Sequence, residues 1–130
     1  MDGAKRIMGE IYMEPFEAAK LATKALSDKQ ATDIRLLKTT DLTVLADYFL
    51  ICTANSTPHV RTLYDEVDKV LSQAGLPPLR REGSRNSTWL LLDFGCLVVH
   101  IFQKETREFY SLERLWNDAT ELDINEIVEA

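Results

Sequence analysis

Cysteine is scarce: Cys52 and Cys96 are the only two, and each sits inside an apolar run rather than in a spaced pattern. This excludes a disulfide framework and reads as two buried free thiols in a reducing compartment. Histidine is equally sparse, with His59 and His100 alone, so no Cys/His set has the close pairing of a structural zinc site. No stretch approaches the ~20 apolar residues of a membrane span. An Arg-rich, acid-poor leader is also lacking, which points to the bacterial cytoplasm. Basic residues are outnumbered 15 to 21, and the net charge of −6 repels a phosphate backbone while favouring a basic protein surface. Protein contact is therefore expected, with little or no direct nucleic-acid readout. There is no P-loop, dinucleotide glycine pattern or His-Glu-x-x-His motif, no internal repeat and no low-complexity linker. The Asn-x-Ser/Thr matches at Asn55 and Asn86 would matter only in a secreted chain.

What is present fits one domain: 130 residues can bury roughly two thirds of the surface of the unfolded chain. Residues 1–13 show no sustained period and read as a flexible arm, while Pro15 suits the first turn of a helix whose inward stripe would be Phe16, Ala19, Thr23 and Leu26. Asp33 to Lys38 has the composition of a strand, and Tyr48 to Thr53 is a nearly continuous apolar run, as expected of a strand covered on both faces. Asn55-Ser56-Thr57-Pro58 supplies capping side chains and then a proline, so a helix starts there. Val60, Leu63, Tyr64, Val67, Val70, Leu71 and Ala74 recur at helical spacing, with Asp65, Glu66, Asp68 and Lys69 opposite. Gly75 and Pro77-Pro78 end this helix, and the chain leaves in extended form through Leu79 to Glu82. Trp89 to Phe94 and Leu97 to Phe102 form an antiparallel hairpin across Gly95-Cys96. A last helix would follow, with Leu112, Leu115, Trp116 and Ala119 inward, before an acidic tail, 120–130, that frays. The expected class is α/β of the α+β kind, a mixed sheet of roughly five strands flanked by helices.

Two patterns invite an enzymatic reading. Gly83-Ser84 ahead of a strand with Asp93 resembles the nucleotidyltransferase arrangement, but that chemistry needs two carboxylates on one strand face to clamp paired metal ions, and position 95 is glycine. Asp93-Phe94-Gly95 spells the kinase metal-binding triplet without a glycine loop or the chain length of a kinase. Cys52 lies in the most apolar run, where a thiolate is disfavoured, so packing is its better role. No catalytic residue, metal or cofactor is therefore assigned. Strand alternation places Trp89, Leu91 and Asp93 on one face, with His100 and Phe102 beside them, an aromatic and charged patch suited to a binding hot spot. The bland reading of Trp89, Phe102 and His100 is core filling. Arg107, Glu113 and Arg114 read by default as a solvated helix face.

Taken in order, Asp47-Tyr48-Phe49, Ile51-Cys52-Thr53, Asn55-Ser56, Glu82-Gly83, Trp89 with Asp93 and Gly95, Val99-His100-Ile101-Phe102, Arg107, Tyr110 and Leu112-Glu113-Arg114-Leu115-Trp116 resemble the Iojap family of ribosomal silencing factors. The likeness spans about residues 14–119. It implies a nucleotidyltransferase-like fold without the catalytic carboxylates and a non-enzymatic role. It further implies docking on protein number fourteen of the large ribosomal subunit, which obstructs joining of the small subunit when nutrients are scarce. Carried over by position, the docking residues would be Trp89, Leu90, Leu91, Asp93, His100 and Phe102, bordered by Arg107 and Tyr110. Ala54, Ser87 and Cys96 depart from the family pattern, standing for Gly, Gly and an acid, and put local loop shapes in question. The alternatives are a nucleotide-binding nucleotidyltransferase-like protein and a self-associating module, since a sheet edge beside an aromatic patch can pair two copies into a homodimer.

Overall fold

A computed structural model describes residues 6–8, 11–39, 46–84, 86–106 and 119–129. Pro15 occupies the first turn of helix α1 (Pro15–Asp28), where a missing N–H leaves no intrahelical bond unmade. Its buried stripe is Ala18, Ala19, Ala22, Thr23, Ala25 and Leu26, small side chains that let the helix approach its neighbours closely. Phe16 is not part of that stripe. It stays 39% exposed, with Tyr48 at 6.0 Å between ring centroids and the Lys20 ammonium 5.3 Å from its centroid.

Helix α2 (Thr57–Gln73) follows the amphipathic pattern closely. The Ser56 hydroxyl accepts the His59 N–H at 3.2 Å to cap its start, and Val60, Leu63, Tyr64, Val67 and Leu71 are buried. At its end Gly75 takes a left-handed φ of 93°, Gly75 N–H donates to Ser72 C=O at 3.0 Å and Leu76 N–H to Leu71 C=O at 2.8 Å. These are the paired bonds of a Schellman cap, and the 1%-exposed Leu76 supplies the accompanying apolar contact.

Strands β3 (Thr32–Lys38), β4 (Tyr48–Ala54), β5 (Arg80–Gly83), β6 (Trp89–Asp93), β7 (Leu97–Gln103) and β8 (Thr120–Leu122) form one mixed sheet in the order β5-β6-β7-β4-β3-β8. Only β4 and β7 run parallel, joined by a crossover that includes α2, and the remaining pairs are antiparallel. Helices α1 and α2 lie on one face, over Leu36, Leu50, Cys52, Leu90, Leu92, Val99 and Ile101. A smaller cluster of Leu37, Ile51 and Phe102 fills the opposite face, with Phe49, Trp89 and Ala119 against it. Burial on both faces explains the unbroken apolar run of β4.

Two terminal segments are more ordered than composition suggests. Within the stretch read as an arm, β1 (Arg6–Met8) and β2 (Ile11–Met13) pair antiparallel as a separate ribbon. The acidic tail does not fray: β8 adds to β3, helix α3 (Asn125–Val128) follows, and Leu122, Ile124 and Ile127 pack on the helix-side core. Arg35 holds the strand pair from the other side through Glu121 at 3.0 Å.

The loop departures resolve individually. Ala54 is the last residue of β4, 1% exposed, and needs no left-handed backbone. Cys96 is buried and its carbonyl accepts the Asp47 and Tyr48 N–H groups, so this position serves the turn through its backbone. Ser87 does take a positive φ, 57°, in the position where glycine would be unstrained. The expected last helix, with Leu112, Leu115 and Trp116, lies outside the described residues.

Candidate docking face

Strand pairing turns the face of the sheet opposite α1 and α2 into three cross-strand rows. Asp93 lies opposite Val98, and Val98 opposite Phe49, which pairs with Leu37. Leu91, His100, Ile51 and Arg35 make the second row, and Trp89, Phe102 and Thr53 the third. An aromatic line runs diagonally through them. Phe49 and His100 centroids are 5.4 Å apart, His100 and Phe102 6.0 Å with planes only 2° apart, and Phe102 and Trp89 6.2 Å. These separations lie within the range in which offset rings attract beyond simple burial.

Burial grades across the face. Ile51 and Phe102 are sealed, Leu91 is 8% exposed, and Trp89, Asp93, Val98, His100 and Phe49 are half-buried. Phe102 is thus covered by its neighbours, Trp89 among them. Leu90 is a correction to the expected set: it pairs with Gly83 and Ile101 and packs in the helix-side core, because adjacent strand residues point to opposite faces. Arg107 and Tyr110 lie outside the described residues. Sequence reading missed Phe49, Ile51, Leu37 and Val98. The parity of Phe49, Ile51 and Thr53 was available, but that β4 lies beside β7 was not.

The loop before β6 fixes Trp89. Gly83 passes so close to β6 that a Cβ there would meet Leu90 Cδ2 and come within 2.8 Å of the Trp89 carbonyl oxygen. Ser84 Oγ accepts the N–H groups of Thr88 and Trp89, each at 3.1 Å, and Ser84 N–H donates to the Trp89 carbonyl at 2.9 Å. The hydroxyl that a nucleotidyltransferase would offer to a phosphate is spent on shaping this loop. Asp93 is likewise occupied: Oδ1 accepts the Gly95 N–H at 2.8 Å, and Oδ2 lies 3.4 Å from the Arg80 guanidinium. Arg80 also bridges to Glu82 at 3.0 Å, so the rim at β5 carries two acids against one base. Among the described residues no group of three or more His, Cys, Asp or Glu is arranged to hold a metal ion, and no helix is long and apolar enough to cross a membrane.

The two histidines differ. His59 Nδ1 accepts the Asn55 N–H at 3.0 Å and its Nε2–H donates to the Lys29 carbonyl at 2.8 Å, tying α2 to the end of α1. Both His100 nitrogens are shielded from solvent and have no hydrogen-bond partner. Burial pushes the His100 imidazole from 6.5 down to about 4, keeping it neutral near pH 7.

A family model described as "Ribosomal silencing factor during starvation" matches residues 13–130. The chain belongs to this ribosomal silencing factor family. It is 37% identical over 112 residues to "Ribosomal silencing factor RsfS" of Halalkalibacterium halodurans, covering 86% of this chain and 96% of that protein. It is 30% identical over 123 residues to the mouse protein "Mitochondrial assembly of ribosomal large subunit protein 1", covering 86% of this chain and 54% of the relative. A crystal structure of a Chromobacterium violaceum protein superposes with a TM-score of 0.77 at 36% identity, over 81% of this chain and 88% of that one. Membership of the ribosomal silencing factor family gives the chain a ribosome-associated, translation-silencing role, and the α+β fold is that of its solved relatives.

Proposed function

We propose that the protein docks on the large ribosomal subunit, through its protein number fourteen, and blocks joining of the small subunit when nutrients are scarce. It acts in the cytoplasm by steric obstruction, without turnover or cofactor. Family membership supports the ribosomal partner, and the name of the mouse relative agrees with a large-subunit setting. The observation that carries the choice of surface is the aromatic line on the face opposite α1 and α2, with half-buried Trp89 and His100 beside the sealed Phe102 and Ile51. A net charge of −6 and the acidic rim at Asp93 and Glu82 suit a basic protein partner and steer its approach.

Trp89 anchors the contact. It offers a large amphipathic ring held by the Ser84 loop and backed by Phe102, the setting in which interface hot spots occur. Co-sedimentation with separated ribosomal subunits, followed by a subunit-joining assay, tests the reading. The expected result is binding to the large subunit alone and reduced joining. Trp89→Ala should then weaken binding by about 2 kcal/mol. Affinity unchanged in a folded Trp89→Ala variant would remove Trp89 as the anchor. Binding to neither subunit would overturn the proposal.

A further inference from the structure

His100 presents a polar problem that the fold does not solve. Its ring lies between Phe49 and Phe102, with Leu91 and Ile51 on the neighbouring strands, and neither nitrogen has a hydrogen-bond partner or contact with solvent. A buried donor and acceptor left unmade cost the folded state their desolvation, and an apolar ring of the same shape would avoid that cost. Folding alone therefore gives no reason for an imidazole here. His59 shows the ordinary alternative, with both nitrogens bonded.

We propose that His100 is a recognition residue reserved for the docked state, in which its edge turns outward and exchanges a hydrogen bond with a neutral group, a peptide amide or hydroxyl, on the bound protein. The inference rests on the docking reading given above. His100 is half-buried as a residue although both ring nitrogens are covered, and it shares its face with the half-buried Trp89 and Phe49. The partner's group is neutral because a charge brought against Phe49, Phe102 and Ile51 would lose its hydration without a compensating ion. The partner segment is protein because Asp93 and Glu82 border the same face and repel phosphate, while Arg80 is already shared between them. His100 thus sets specificity: a partner offering only apolar surface leaves the imidazole unsatisfied and binds more weakly.

The test compares wild type, His100→Phe, His100→Leu and His100→Gln in urea unfolding and in binding to purified large ribosomal subunits. The expected pattern has opposite signs. His100→Phe, or His100→Leu where the larger ring does not fit, unfolds at higher urea than wild type yet binds about tenfold more weakly. His100→Gln, which keeps a donor and an acceptor, binds closer to wild type. Equal binding by wild type and a folded His100→Phe or His100→Leu would overturn the inference and leave the docking face standing. Equal binding of wild type to protein-free large-subunit RNA would overturn the protein assignment. Failure of wild type to bind large subunits at all would instead overturn the docking reading, and this inference with it.

Discussion

The two faces of the sheet are built from different chemistry. Toward α1 and α2 the sheet presents Leu36, Leu50, Cys52, Leu92, Val99 and Ile101, small or aliphatic and fully buried, matched to the alanine stripe of α1. Toward the other side it presents Trp89, Phe102, His100 and Phe49, with Asp93 and Arg35 at the margins. Aliphatic side chains at crystal-like density suit a permanent cover, whereas amphipathic rings, a neutral imidazole and a charged rim suit one that comes and goes. Burial alone does not tell the two sides apart: Ile51 and Ile101 are both sealed, but Ile51 pairs with the half-buried His100 and Ile101 with the buried Leu90.

The largest effect expected from breaking the comparison is on the helix side. Ile101→Ala should cost about 3 kcal/mol in urea unfolding through lost burial and a residual cavity, with little change in affinity for large subunits per folded molecule. A second effect belongs to the opposite face and depends on pH. His100 titrates near 4 in the native state and at about 6.5 when unfolded, so it is neutral in both states above pH 6.5 and contributes nothing there. As pH falls from 6.5 to 4 the unfolded chain takes up the proton first, and native stability falls by up to about 3 kcal/mol, levelling below pH 4. Urea titrations of wild type and His100→Phe at matched pH isolate this contribution, which should be present in the first and absent in the second. The smallest effect sharpens the loop that aims Trp89. Ser87→Gly relieves a φ of 57° but loosens the unfolded chain, leaving a net gain of about 0.5 kcal/mol, read as a small upward shift in urea midpoint.

Legibility in the sequence followed locality. Helix α2 was readable from Ser56 to Gly75 because its caps, its apolar spacing and its stop signal all lie within one segment. The β6–β7 hairpin was readable for the same reason, with Gly95 at φ 89° and Asp93 closing the turn. Strand β8 was not: Thr120 to Leu122 gains its reason to be extended only from β3, some eighty residues earlier, and acidic neighbours made it look solvated. Phe16 misled because a large aromatic in the first turn of a helix looks inward-facing, whereas Tyr48 and Lys20 hold it at the surface. For the docking face, alternation alone gave Trp89, Leu91, Asp93, His100 and Phe102. The rest of the face depended on the parallel pairing of Ile51 with His100, a contact between strands 49 positions apart. Leu90 entered with the family resemblance, although alternation alone already puts it on the opposite face, where it packs in the helix-side core.

On this reading the face opposite α1 and α2, and not the one those helices cover, meets the ribosome. Photo-crosslinking amino acids placed at Val98, half-buried on the first face, and at Asp65, exposed on the outer side of α2, test it directly on purified large subunits. A crosslink to a single ribosomal protein is expected from position 98 and none from position 65. Crosslinks from position 65 with none from position 98 would contradict it.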